Sequence, residues 1–423
     1  MSRSALLLCS ALAARVIVAA EKKGPGKQKP SKPSDDGSKQ SELGEDFQRG
    51  LAQFDKREFD AAIASFTKTI EGNPGQPRPL VMRGLAYCET KDFDKAIADF
   101  TRVLQDHPHN GRALFGRANA LYKKGNLNKA LSDVRAALEQ NPKNAEAVLL
   151  KGLIHYKREE PEKALAALEE AIRLDPQNPK ALVARGLVYY DDDKLVEAIA
   201  DFTAALKLQP KDGEALRGRG RAYYDAMEME KALGDVNEAI RLDPKDVEAL
   251  VVRGLVYYEQ DRPDEAIADF DLAIRLDAKN VEALLGRAAA YLDNDEFDRA
   301  IADCNEAIRL DPDADDAYDC RARAYLAKGD LQKTLDDCNE LIRRDAEDAE
   351  SFCLRGEVYA SRKEWRMAIT DFSEAIRLDA EYADAYAARA AAYEASGEPD
   401  KAKADHSKAN ELEKSQNPDS GER

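Results

Sequence analysis

From Leu43 to Gln416 the sequence repeats every 34 residues, eleven times, with no insertion or deletion. Units this short cannot enclose a core alone, so such a chain buries apolar surface by stacking each unit on its neighbours. The register is fixed by a small residue at Gly50, Gly84, Ala118, Gly152, Gly186, Gly220, Gly254, Ala288, Ala322, Gly356 and Ala390. Twelve positions after each stands Ala62, Ala96, Ala130, Ala164, Ala198, Ala232, Ala266, Ala300, Thr334, Ala368 or Ala402. Small residues at matched places on two segments allow close helix approach.

Counting Leu43 as slot one, slot four is mostly large and apolar (Leu80, Leu114, Leu182, Leu250) and slot eleven is often tyrosine (Tyr87, Tyr189, Tyr257). Slots four, eight and eleven fall on one face of a helix, and slots twenty, twenty-four and twenty-seven on one face of a second. Turn formers separate the two: Gly125, Gly329, the run Asp191 to Asp193, and Asp261 before Pro263. The segments Leu-Asp-Pro at Leu174, Leu242 and Leu310 close the second helix, where proline suits a boundary. Each unit therefore reads as a helix pair.

With Phe66, Phe100, Phe202, Phe270 and Phe372 at slot twenty-four and Pro74, Pro108, Pro142 and Pro176 at slot thirty-two, the pattern resembles the tetratricopeptide repeat. The resemblance covers residues 43–416 and departs from the family pattern in two slots. The usual Trp position holds Leu, Val, Tyr or Phe, and the usual Leu at slot seven holds Arg or Lys. It implies an all-α, right-handed superhelical solenoid of antiparallel helix pairs. Repeats would start at 43, 77, 111, 145, 179, 213, 247, 281, 315, 349 and 383. Asp46 and Gln53 in the first repeat, and His406 with the charged closing helix in the last, read as polar caps.

Residues 1–20 carry Arg3 and Arg15, no acid, and end Val18-Ala19-Ala20, so a secretory signal peptide is expected. A secreted or periplasmic location follows from that expectation, with organellar or cytoplasmic alternatives. Residues 21–42 read as a flexible Lys/Pro/Gly/Ser linker and 417–423 as a disordered tail. The leader is short for an integral membrane span. A formal charge of −17 disfavours nucleic acid and favours a neutral or basic protein partner.

The six cysteines show no metal-ligand spacing; Cys304 and Cys338 occupy the usual Phe slot and read as core, and a Cys320–Cys353 disulfide is disfavoured. The four histidines are scattered, so no metal or cofactor is expected. No phosphate loop, nucleophile elbow or calcium loop occurs, and the repeats leave no room for a catalytic domain. An enzyme is not expected.

Slot seven is basic in every repeat and slot twenty-three is aspartate in nine. A structural ladder is therefore expected from Arg83–Asp99, Arg117–Asp133, Arg185–Asp201, Arg219–Asp235, Arg253–Asp269, Arg287–Asp303 and Arg355–Asp371, within or between repeats. Lys151 coincides with Ala167, where that ladder would break.

A second stripe, slots five, nine and twelve, faces the concave groove that the resemblance implies. It carries five successive tyrosines, Tyr122, Tyr156, Tyr190, Tyr224 and Tyr258, beside Phe115, Leu153, Leu187 and Leu255, and is interrupted by Arg217 and Arg221. These are the candidate contacts for an extended peptide or helix, with acids at slot two (Glu146, Glu214, Glu248, Glu282) and slot thirteen (Asp191, Asp225, Glu259, Asp293) favouring Lys or Arg on the ligand. For the aliphatic positions, packing between first helices is the competing reading, and for the acids it is a solvated acidic surface with no selectivity. Capture of a chaperone's C-terminal carboxylate is disfavoured, since slot five is never Lys and Asn119 is the only Asn at slot nine. The function expected is a scaffold or adaptor; the alternatives are a self-assembling structural solenoid and a regulatory subunit that holds a catalytic partner.

Overall fold

The computed structural model describes residues 44–416, so the expected leader, the linker and the tail lie outside the described residues. Twenty-two helices follow one another, and among the described residues there is no strand. They are numbered α1 (Gly44–Asp55) and α2 (Phe59–Gly72), then in pairs to α21 (Ala383–Ser396) and α22 (Pro399–Gln416), so that odd helices open a repeat and even helices close it. The chain forms two compact units, one up to Met227 and one from Glu228, and the boundary falls inside the sixth repeat.

Within each unit consecutive helices pack against one another, and each opening helix also touches the opening helix of the next repeat. Local chemistry sets the ends. Asn110, Asn144, Asn178, Asp212, Asp246, Asn280 and Asp348 immediately precede opening helices and accept hydrogen bonds from backbone N–H groups of their first turns. Between the two helices of a repeat the residue at slot fifteen has left-handed backbone, as at Lys91 (φ 61) and Gly125 (φ 76). There the N–H of Asp92 donates to the carbonyl of Tyr87 and that of Lys91 to Cys88, the paired bonds of a Schellman ending. One left-handed residue thus reverses the chain, and Gly125 has open space around it, so only the backbone conformation favours glycine there.

The core is built on the two small-residue ladders. Phe100, fully buried, lies against Gly84 of its own repeat, where an added Cβ would come within 2.8 Å of the ring, and against Gly116 of the next, at 2.5 Å. Phe66, Phe202, Phe270 and Phe372 likewise lie against a slot-eight glycine of their own repeats. Slot eight is alanine only where slot twenty-four is smaller or polar: Ala118 with Val134, Ala288 with Cys304, Ala322 with Cys338, Ala390 with His406. Ring and methyl compete for one volume in a close-packed interior. Cys304 and Cys338 are buried, which agrees with their reading as core; Cys353 is buried as well, and all five described cysteines are free.

Candidate functional site

The ladder of slots seven and twenty-three is present. In the first unit Arg83, Arg117 and Arg185 grip Asp99, Asp133 and Asp201 with two N–H groups each, at 2.7–2.8 Å. In the second, Arg253, Arg287, Arg321, Arg355 and Arg389 hold Asp269, Asp303, Asp337, Asp371 and Asp405 in the same bidentate manner. Arg219 and Asp235 belong to different units, and that pair stays an expectation.

Each pair spans the two helices of one repeat, and the spare Nη1 usually reaches back to the preceding repeat. It donates to Thr67 from Arg83, Thr101 from Arg117, Thr203 from Arg219, Asn237 from Arg253 and Asp271 from Arg287. The ladder therefore acts both within and between repeats. The bond to Asp99 raises Arg83 above the ordinary guanidinium range, against the opposing effect of burial. Slot-eleven rings complete the rung: Arg83 lies over Tyr87, Arg253 over Tyr257 and Arg287 over Tyr291. The donors of this face are engaged, and the slot-twenty-five acceptors were not legible in the sequence because their types vary from Thr to Asn to Asp.

The groove stripe divides. Phe115, Leu153, Leu187 and Arg217 are buried, and Val251 sits in the core cluster of its repeat, so slots five and nine mostly pack opening helices side by side. As candidate ligand contacts Phe115, Leu153 and Leu187 are corrected to packing residues. Tyr122 is corrected as well: it is fully buried, with the Lys157 ammonium 4.7 Å above its ring. Tyr156, Tyr190, Tyr224, Leu255, Tyr258 and Arg221 remain half-buried on the stripe.

The tyrosines and the slot-thirteen acids are partners. Tyr156 donates its hydroxyl to Asp191 and Tyr190 to Asp225, each bond running from one repeat to the next. Tyr258 and Asp293 make the same bond in the second unit. Burial, with the bonded Asp293, pushes Tyr258 up to about 12; burial raises Tyr190 too, with Arg221 opposing. Arg221 lies 3.6 Å from Asp225 and over the Tyr224 ring. At slot two, burial lifts Glu146 to about 8, partly opposed by Lys180, so near neutral pH it is mostly protonated and offers a ligand little charge. Sequence periodicity put tyrosine and acid on one stripe; only the stacking offset between repeats showed that they bond each other.

Catalytic features are few. Burial pushes the thiols of Cys88, Cys338 and Cys353 up to about 12, the wrong direction for a nucleophile. Among the described residues no group of three His, Cys, Asp or Glu could hold a metal ion, and no helix is long and apolar enough to cross a membrane.

The family profile described as the cilia and flagella-associated protein 70 C-terminal domain matches residues 109–352, and tetratricopeptide-repeat profiles match 47–111, 81–134 and 356–397. No curated protein matches. Among solved structures, a tetratricopeptide repeat protein from Parabacteroides merdae is 26% identical over 59% of this chain and 98% of its own, with a TM-score of 0.46. YrrB, a tetratricopeptide-repeat protein with an unusual peptide-binding site, is 25% identical over 44% of this chain and 95% of its own, at 0.35. Cut9 with Hcn1, from a hetero-tetramer of the anaphase-promoting complex, is 16% identical over 89% and 88%, at 0.48.

Proposed function

The chain belongs to the tetratricopeptide-repeat family, in its general character a family of protein-interaction scaffolds, and on that premise we propose that it is a non-enzymatic adaptor that holds an extended segment of another protein along its tyrosine stripe. The observation that carries the reading is the recurrence of half-buried tyrosine at one slot of successive repeats, hydroxyl bonded to the acid of the next. A ring fixed in this way presents a flat apolar face at little entropic cost, which suits a peptide backbone or an apolar side chain. Carboxylates accept the tyrosine hydrogen bonds beside the rings, so a neutral or basic segment is favoured over an acidic one.

The experiment is selection of peptides from a random library on the full chain, followed by calorimetry. Tyr156→Ala with Tyr190→Ala should weaken the selected peptides at least tenfold while far-ultraviolet helicity is retained; Asp201→Ala should lower the melting temperature and leave peptide choice intact. Failure to select any peptide, or selected peptides that bind the Tyr156→Ala, Tyr190→Ala chain as tightly as the wild type, overturns the reading.

A further inference from the structure

A complete rung of the ladder has four members: arginine at slot seven, aspartate at slot twenty-three, tyrosine at slot eleven, and a hydroxyl, amide or carboxylate acceptor at slot twenty-five of the repeat before. In the fourth repeat all four differ: Lys151, Ala167 and His155, with Arg135 in the acceptor's place. An acceptor has become a cation, and the anion that two cations would share has become a methyl group.

The structure shows an open pocket there, about 560 Å³, walled by α6 (Leu127–Gln140), α7 (Ala145–Lys157) and α8 (Pro161–Leu174), with Arg135, Lys151, Lys163, His155 and Ala167 among its lining. Lys151 is half-buried and Arg135 exposed, and among the described residues neither has a hydrogen bond or ion pair. The one carboxylate in the wall, Glu170, is held by Arg173. His155 is buried and bonded to Glu160, which also draws Lys163 to 3.4 Å. None of the pocket's lining residues occupies slots two, five, nine, twelve or thirteen, so the pocket is separate from the tyrosine stripe.

A partly buried charge without a counter-ion is costly, and Arg83, Arg117, Arg185, Arg253, Arg287, Arg321, Arg355 and Arg389 avoid that cost with an aspartate of their own repeat. We infer that this pocket binds a carboxylate side chain from an acidic segment of a partner protein, which takes the position of the missing rung aspartate between Lys151 and Arg135. An Asp or Glu side chain is the right group because the vacated position is that of a carboxylate on a short aliphatic stem, here facing the Lys151 ammonium and the Arg135 guanidinium. The overall charge of −17 repels acidic chains generally, so such a ligand must owe its binding to a local site.

The test uses the full chain and calorimetry with three probes: hexaglutamate, hexaglutamine and inorganic phosphate. Hexaglutamate should bind, and hexaglutamine should not. Ala167→Asp should raise the melting temperature and weaken hexaglutamate at least tenfold, since it supplies the carboxylate internally at a slot that accepts aspartate in nine repeats. Lys151→Met, which keeps the aliphatic stem, should weaken binding similarly without filling the pocket. Tyr156→Ala with Tyr190→Ala should leave hexaglutamate unaffected, so this site and the groove reading stand or fall separately. Equal affinity of hexaglutamate for wild type and both pocket variants, no binding at all, or saturable phosphate binding without hexaglutamate binding would overturn the inference.

Discussion

Removing one carboxylate from the ladder shows how much the rungs contribute. Asp269 is buried and accepts from Arg253 Nε at 2.6 Å and Nη2 at 2.7 Å. The same guanidinium donates to Asn237 at 3.0 Å and lies 5.8 Å from the Tyr257 ring centroid, so it cannot swing away without losing further contacts. Asp269→Ala therefore leaves a trapped cation with two unmet donors. Breaking a fully buried pair costs about 3–5 kcal/mol, but the Arg253 side chain keeps 22% of its surface, and water solvating it reduces the loss to about 2–3 kcal/mol. Asp269→Asn should lose nearly as much, because one carboxylate oxygen becomes an NH₂ facing a donor. The control is Glu306→Ala, whose partner Arg309 sits in an exposed i,i+3 pair and should give no measurable change. Guanidinium unfolding supplies the comparison, and amide exchange should place the loss in α13 (Val247–Glu259), α14 (Pro263–Leu276) and α12 (Met229–Leu242). If Asp269→Ala were as neutral as Glu306→Ala, the ladder would be ornamental and its guanidinium groups free for a ligand.

Gly254→Ala should gain about 1 kcal/mol of helix propensity but place a methyl 2.7 Å from Phe270, an overpacking cost of about 1–3 kcal/mol, so a net loss is expected. In a Phe270→Val background the same change should stabilise, and an unchanged sign in denaturant titrations would refute the volume argument. Glu146 ordinarily titrates at 4.5 and is lifted to about 8 in the folded chain, so its favourable contribution is complete below 4.5 and is lost as pH rises through 8. Glu146→Gln should therefore raise the melting temperature over wild type at pH 9 and matter little at pH 5; the opposite trend would mean the carboxylate is stabilised rather than buried. Gly125→Ala should cost about 1–2 kcal/mol through its positive φ alone, measurable by thermal melting.

Much of the site was legible from residue type at fixed spacing. The slot-seven arginines and slot-twenty-three aspartates lie sixteen residues apart on two antiparallel helices joined by a short turn, and a chemical pairing at constant separation reads directly from a repeat. The tyrosine stripe was equally visible, but its availability was not: Tyr122 and Tyr156 hold the same slot, and one is buried under Lys157 while the other is half-exposed and bonded to Asp191. That difference depends on slot thirteen of the next repeat, thirty-five residues away, and on how far one repeat is displaced along its neighbour.

The sequence by itself determined the helix pairs, their register and their ends, because periodicity, caps and turns act over a few residues and recur at each copy. Tertiary stacking decided what one sequence position could not state: that a guanidinium clamps two repeats at once, that burial pushes Glu146 up toward its protonated form, and that Lys151 and Arg135 open onto a shared pocket. Those outcomes are set by solvent exclusion and by distances across repeat interfaces, quantities that exist only once neighbouring repeats have packed.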